Sequence, residues 1–178
     1  MKKSGTYGGN YEKEQFDDSE FIASMDDVKI KEIHLYDNGV YLSGIQVFYN
    51  ICNQIVTPGL HCTTDIESID DPKKWKDYKN NTQRKFTLEL EDDELIERVE
   101  IRSGAIIDKV TCFTNKGRSV AAGGNGGSVS TYSSKNYKLG AFIGSHSTKQ
   151  HQESTWATIH HLQVCFVPYS EEDKLIKK

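Results

Sequence analysis

Apolar residues recur at every second position in four stretches of the chain: Ile45, Val47 and Tyr49; Phe86, Leu88 and Leu90; Val110 and Cys112; and Leu162, Val164 and Phe166. Side chains on a strand alternate faces with a period of two, so each stretch predicts a half-buried strand, and clusters of Gly, Asn, Asp or Ser mark where each run ends. Between HLY and VYLSGIQVFY, Asp37-Asn38-Gly39 supplies residues that accept positive φ with little strain, which predicts a hairpin turn. No helical period is sustained. The nearest approaches, DDPKKWKDYKNN (70–81) and SEEDKLIKK (170–178), are short and almost wholly charged. The first is expected to be a loop insertion. The second is expected to be a frayed, charged tail (171–178) beyond a single domain of residues 1–170. The expected class is all-β.

One plan occurs three times. KIKEIHLYDNGVYLSGIQVFY (29–49) and LIERVEIRSGAIIDKVTCFT (95–114) both run through apolar alternation, a polar turn with Gly, four residues, and alternation resumed. YKLGAFIGSHSTKQHQESTWATIHHLQVCFV (137–167) repeats the plan with a longer loop. Three hairpins of one design predict threefold pseudo-symmetry.

Length and charge narrow the functional classes. A chain of 178 residues, 36% hydrophobic and 27% charged, is an ordinary globular composition for one domain. The net charge of −4, with Lys and Arg dispersed, gives no concentrated basic face and argues against nucleic-acid binding. The N-terminal MKKSGTYGGN has no apolar core of a signal peptide, and no run of about 18 apolar residues occurs. The expectation is a cytoplasmic protein, or one exported by a non-classical route, with no membrane insertion. Cys52, Cys62, Cys112 and Cys165 lack C-x-x-C spacing and are expected to be buried free thiols. The sequon Asn80-Asn81-Thr82 has no consequence outside the secretory pathway.

Several short motifs lie in an order that carries more information than any one of them: TYGGNYEKEQFDD (6–18), E-x-I-x-x-V (94–99), TNKGRS (114–119) and GAFIGS (140–145). Together, over residues 5 to 169, they resemble the jacalin-related lectins. The resemblance implies a β-prism, three four-stranded antiparallel sheets about a pseudo-threefold axis. It also implies metal-free sugar binding at one end of the prism, with no cofactor and no enzymatic activity. Sites in that family pair a Gly-rich loop with a G-x-x-x-D hairpin loop, and the most used site joins the first Gly-rich loop to the last hairpin.

Carried over residue by residue, the usual site is degraded here. Gly8 and Gly9 match the start of the first Gly-rich loop, but Glu12-Lys13-Glu14 replaces the glycine expected before Phe16-Asp17-Asp18. The acid position of the last hairpin falls at His160, after a loop (145–160) that carries Trp156, with Glu153 as another candidate acid. In the first hairpin the count of four from Gly39 reaches Ser43, and the expected partner segment offers only Pro58-Gly59. The middle hairpin is complete: Gly104-Ala105-Ile106-Ile107-Asp108 is a G-x-x-x-D, and symmetry pairs it with Gly123-Gly124-Asn125-Gly126-Gly127.

The expected sugar-contacting residues are therefore Gly104, Ala105, Ile106, Asp108, Gly126 and Gly127. An ionised carboxylate accepts hydrogen bonds from two adjacent hydroxyls, backbone N–H groups at Ala105, Ile106 and Gly127 donate to the same oxygens, and glycine lets the ligand approach them. The resemblance implies mannose-type glycans or glycoproteins as partners and leaves homo-oligomer formation open. Alone, Asp108 reads as a turn-capping or solvated acid and GGNGG as a flexible loop; their symmetric register sets them apart. His146, His151, His160 and His161 fit no zinc spacing and are expected to form a solvated histidine-rich loop. The alternative function is a β-prism protein–protein interaction module that binds no sugar.

Overall fold

The computed structural model describes residues 1–9, 14–62, 84–147 and 158–176. The chain opens with short strands β1 (Lys2–Lys3), β2 (Tyr7–Gly8) and β3 (Glu14–Asp17), then a single turn of helix, α1 (Asp18–Phe21). Next come the hairpin β4 (Ile30–Asp37) and β5 (Leu42–Ile51) and the strands β6 (Gln54–Val56), β7 (Leu60–Cys62) and β8 (Arg84–Glu89). The middle hairpin, β9 (Ile96–Ser103) and β10 (Ile107–Thr114), is followed by β11 (Ser119–Gly123) and β12 (Ser128–Ser133). The last hairpin is β13 (Tyr137–His146) and β14 (Ile159–Pro168), and helix α2 (Glu171–Ile176) follows.

Each hairpin is the centre of one antiparallel sheet. Strand orders are β11-β10-β9-β12 for the middle hairpin, β6-β5-β4-β8 with β7 also on β5 for the first, and β1-β14-β13-β3 with β2 also on β14 for the last. In the latter two, the pair of short strands shares one edge position, so every sheet is four strands wide. This is the expected β-prism, with the N-terminal strands completing the C-terminal sheet. Alternation places Ile33 and Leu35 opposite Val47 and Ile45, and Val99 and Ile101 opposite Cys112 and Val110; all eight are at most 1% exposed and meet in one core. Burial of that apolar area is the main favourable term holding the three sheets together.

The ladders contain a symmetry finer than strand order. Ile107 pairs with Ser103 and Lys109 with Arg102, so Asp108 is an extra residue on β10, a β-bulge. The same count makes Ser43 the extra residue on β5, between the Tyr36–Gly44 and Asp37–Leu42 pairs. On β14 it is His160, between the Ser145–His161 and His146–Ile159 pairs. Asp108, Ser43 and His160 thus occupy equivalent positions at one end of the prism.

Four expectations need correction. Residues 171–176 are helical, because Ser170 and Asp173 cap each other: Ser170 N donates to Asp173 Oδ2 (2.8 Å) and Asp173 N to Ser170 Oγ (3.2 Å). Cys112 and Cys165 are buried, but Cys52 is exposed and Cys62 half-buried. His146 and His160 are buried strand residues, and His161 lies beside them on β14, because the β13–β14 ladder extends as far as the His146–Ile159 pair. Pro58-Gly59 falls between β6 and β7 on the sheet edge; the connection equivalent to a Gly-rich loop is 63–83. That span, like the expected insertion at 70–81, the sequon, Lys13, His151, Glu153 and Trp156, lies outside the described residues.

Candidate functional site

At the end of the prism marked by the three bulges, the β9–β10 turn and the β11–β12 loop lie side by side. The bulge turns Asp108 toward the Gly-rich loop, and its carbonyl accepts from Gly124 N at 3.0 Å. Contact is so close that side chains are excluded. A Cβ on Gly126 would lie 2.2 Å from Asp108 Oδ1, and one on Gly127 would lie 2.5 Å from Asp108 Oδ2 and 2.5 Å from the Ser103 carbonyl carbon. Gly127 also has φ +62, a region in which a Cβ is strained. The first Gly-rich loop begins with the same geometry: Gly9 N donates to the His160 carbonyl at 3.2 Å, and a Cβ on Gly8 would meet that oxygen at 2.1 Å.

All six expected residues fall in this place. Gly104, Ala105, Gly126 and Gly127 are exposed, whereas Ile106 and Asp108 are 8% and 7% exposed. Asp108 was expected on the hairpin loop; the bulge instead makes it a buried strand residue at the floor between the two loops. Burial raises the Asp108 carboxyl above the ordinary aspartate value, while a hydrogen bond from the Gly104 backbone and the charge of Arg102 act in the opposite direction. Ala105 and Ile106 sit at the tip of the turn, beyond the last ladder pair Ser103–Ile107.

Three neighbours escaped the sequence reading. Arg102 Nη1 reaches the carbonyls of Asn125 (3.3 Å), Gly126 (3.4 Å) and Gly127 (3.4 Å). Asp37, 1% exposed, accepts from Gly123 N at 2.7 Å. Val40, 49% exposed, has its carbonyl 2.4 Å from the position of a Cβ on Gly124. The Gly-rich loop is therefore wedged between the hairpins of two sheets. The only signals for this were that Arg102 precedes the G-x-x-x-D by two residues and that Asp37 opens the other turn.

At the two equivalent positions the chemistry differs. Ser43 is neutral, and His160 Nε2 lies 3.0 Å from Ser147 Oγ. His161 Nδ1 lies 2.9 Å from Ser145 Oγ, and His146 Nδ1 donates to its neighbour's carbonyl, Ser147 O, at 3.0 Å. Among the described residues, no three metal-ligating side chains come together.

Two loops, one of them Gly-rich, thus meet at one end of a β-prism, and comparison with known proteins agrees with that fold. The model of the jacalin-like lectin domain matches residues 4–152. The chain belongs to that family. Solved structures similar to it include a mannose-binding lectin from champedak, at 16% identity and TM-score 0.63, covering 93% of this chain and 95% of that one. A Malaysian banana lectin (18%, TM-score 0.64, 94% and 98%) and artocarpin complexed with methyl-α-mannose (16%, TM-score 0.64, 92% and 95%) are also similar. No curated protein sequence matches.

Proposed function

We propose that this chain is a carbohydrate-binding lectin that takes mannose- or glucose-type sugars, without a metal ion, between the β9–β10 turn and the β11–β12 loop. The observation that carries the reading is the enclosure of the Asp108 carboxylate by the bare backbone of Gly104, Gly126 and Gly127. Such a floor offers a charged acceptor to a pair of sugar hydroxyls, and the Ala105, Ile106 and Gly127 amides are the donors that complete it. The complexes of artocarpin with methyl-α-mannose and with mannotriose support the choice of sugar. No part of this chemistry needs a cation.

The test is calorimetric or NMR titration of methyl α-mannoside into the wild-type chain and into Asp108→Ala. A shallow monosaccharide site binds at about millimolar Kd, near −4 kcal/mol, and loss of a charged acceptor costs roughly 1.5–3 kcal/mol. Binding should be measurable in the first protein and absent in the second, and chelation with EDTA should change neither result. Undiminished affinity in a folded Asp108→Ala protein would remove the sugar from these loops and leave a protein-docking role for them.

A further inference from the structure

Three of the four residues at 124–127 are glycines, and ordering glycine costs more backbone entropy than ordering any other residue. Unaided, such a segment has no reason to hold one shape over Asp108. Besides the Gly124 N–H to Asp108 carbonyl bond, two side chains from outside the loop grip its backbone. At its entry, Asp37 Oδ2 accepts from Gly123 N, and the Asp37 carboxylate is itself fixed by Arg84 Nε (2.8 Å), Arg84 Nη2 (3.1 Å) and Gly39 N (3.0 Å). At its tip, one Arg102 nitrogen is shared among three consecutive carbonyls. Resting on the sugar-site reading above, we propose that Arg102 and Asp37 are positioning residues of the site, holding the Gly-rich loop against Asp108 from its two ends.

Arg102 has a second effect through charge. It stands in β9 beside the bulge, and its guanidinium offsets part of the cost of burying the Asp108 carboxylate. The other charged groups around Asp108 are Lys109, next in β10 and paired with Arg102 across the ladder, and the mutually paired Asp37 and Arg84 beyond Gly123. Residues 123–127 contribute no ionisable side chain. Removing Arg102 therefore leaves the carboxylate with less compensation on the β9 side. A lysine keeps the charge but lacks the rigid planar guanidinium that aims one nitrogen at the three carbonyls, and its flexible stem orders less readily there.

The experiment compares wild type with R102Q, R102K, D37N and D108N in two measurements: amide hydrogen exchange of residues 123–127 without ligand, and titration of methyl α-mannoside from neutral to acid pH. In R102Q, exchange at Gly126 and Gly127 accelerates, affinity falls by about threefold to tenfold, the worth of one ordinary hydrogen bond, and the acid limb of binding moves to higher pH. R102K restores the position of the acid limb but not the exchange protection. D37N accelerates exchange at Gly123; should it fail to fold, the two variants of the partly exposed Arg102 carry the test. Binding lost in D108N but unchanged in R102Q, with wild-type exchange and acid limb, would overturn this inference alone. A wild-type chain that binds no sugar would overturn the site and this inference together.

Discussion

In the proposed site the one carboxyl is that of Asp108. Its buried bulge position holds the proton more tightly than the unfolded chain does, so its ionised form costs stability above the folded pKa, and that cost disappears below the ordinary aspartate value. Binding makes the opposite demand, since only the carboxylate accepts from two hydroxyls. Mannoside affinity should accordingly fall on acidification, with a midpoint above the usual aspartate range, and a titration series in buffers of decreasing pH measures it. Asp108→Asn removes the desolvated charge, so thermal melts should show its disadvantage against wild type smallest at neutral pH, even though its sugar binding is lost. A flat affinity–pH profile would separate Asp108 from the ligand. Gly127→Val should abolish binding by a different route, because its Cβ would lie where Asp108 Oδ2 and the Ser103 backbone already are; its loop should also lose order, visible as faster amide exchange.

The strands were legible where burial alternates and illegible where contact spans the sheets. Val110 and Cys112 announce β10, and the count of four from each glycine correctly led to Asp108 and Ser43 as counterparts. The edge strands β1, β2, β6 and β7 are two or three residues long, too short to show any period, which is why Pro58-Gly59 was misplaced. The Asp37–Gly123 bond joins residues 86 apart in sequence, and no local pattern encodes it. Two family motifs prove to be one structural device at the opposite end of the prism: Glu94, before β9, accepts from Arg118 Nε at 2.8 Å and from Arg118 Nη2, tying E-x-I-x-x-V to TNKGRS. Hydrogen bonds from Arg118, and then from Thr114 and the Glu91 backbone, hold the Glu94 carboxyl down at about 2 against the opposing effect of burial. Its stabilisation is thus complete above the unfolded value of 4.5 and fades as pH falls from there toward 2. Because the Arg118 side chain is 42% exposed and solvent screens the pair, Glu94→Gln should lower unfolding free energy by about 1–2 kcal/mol at neutral pH. Denaturant melts should show that difference shrinking with acid; a constant difference would mean the carboxylate's charge is irrelevant.

At the scale of the whole molecule, α2 fastens the end of the chain to the prism. Lys138, 3% exposed, pairs with Asp173 Oδ2 at 2.6 Å and Asp27 Oδ1 at 3.2 Å, so Asp173→Ala leaves a buried ammonium with one partner. A loss of about 2–3 kcal/mol is expected in denaturant melts, below that for a buried charge left wholly alone. Mannoside binding should survive, since α2 lies outside both loops of the site.

Threefold architecture raises the question of how many sugars one chain holds. Each sheet presents a bulged residue at the same end of the prism, but only one of the three, Asp108, is an acid. Ser43 has no charge with which to accept strongly, and the His160 ring is already engaged with Ser147. A neutral hydrogen bond contributes about 0.5–1.5 kcal/mol against roughly twice that for a charged one, so a Ser or His in this position leaves a millimolar site too weak to measure. Calorimetry with a free monosaccharide, which avoids the avidity that linked sites give to branched glycans, should therefore return one site per chain. His160→Ala should leave that number and the affinity unchanged, while Asp108→Ala should take the number to zero. A stoichiometry of two, or sugar binding that survives in Asp108→Ala and disappears in His160→Ala, would move the working site back to the sheet completed by the N-terminal strands.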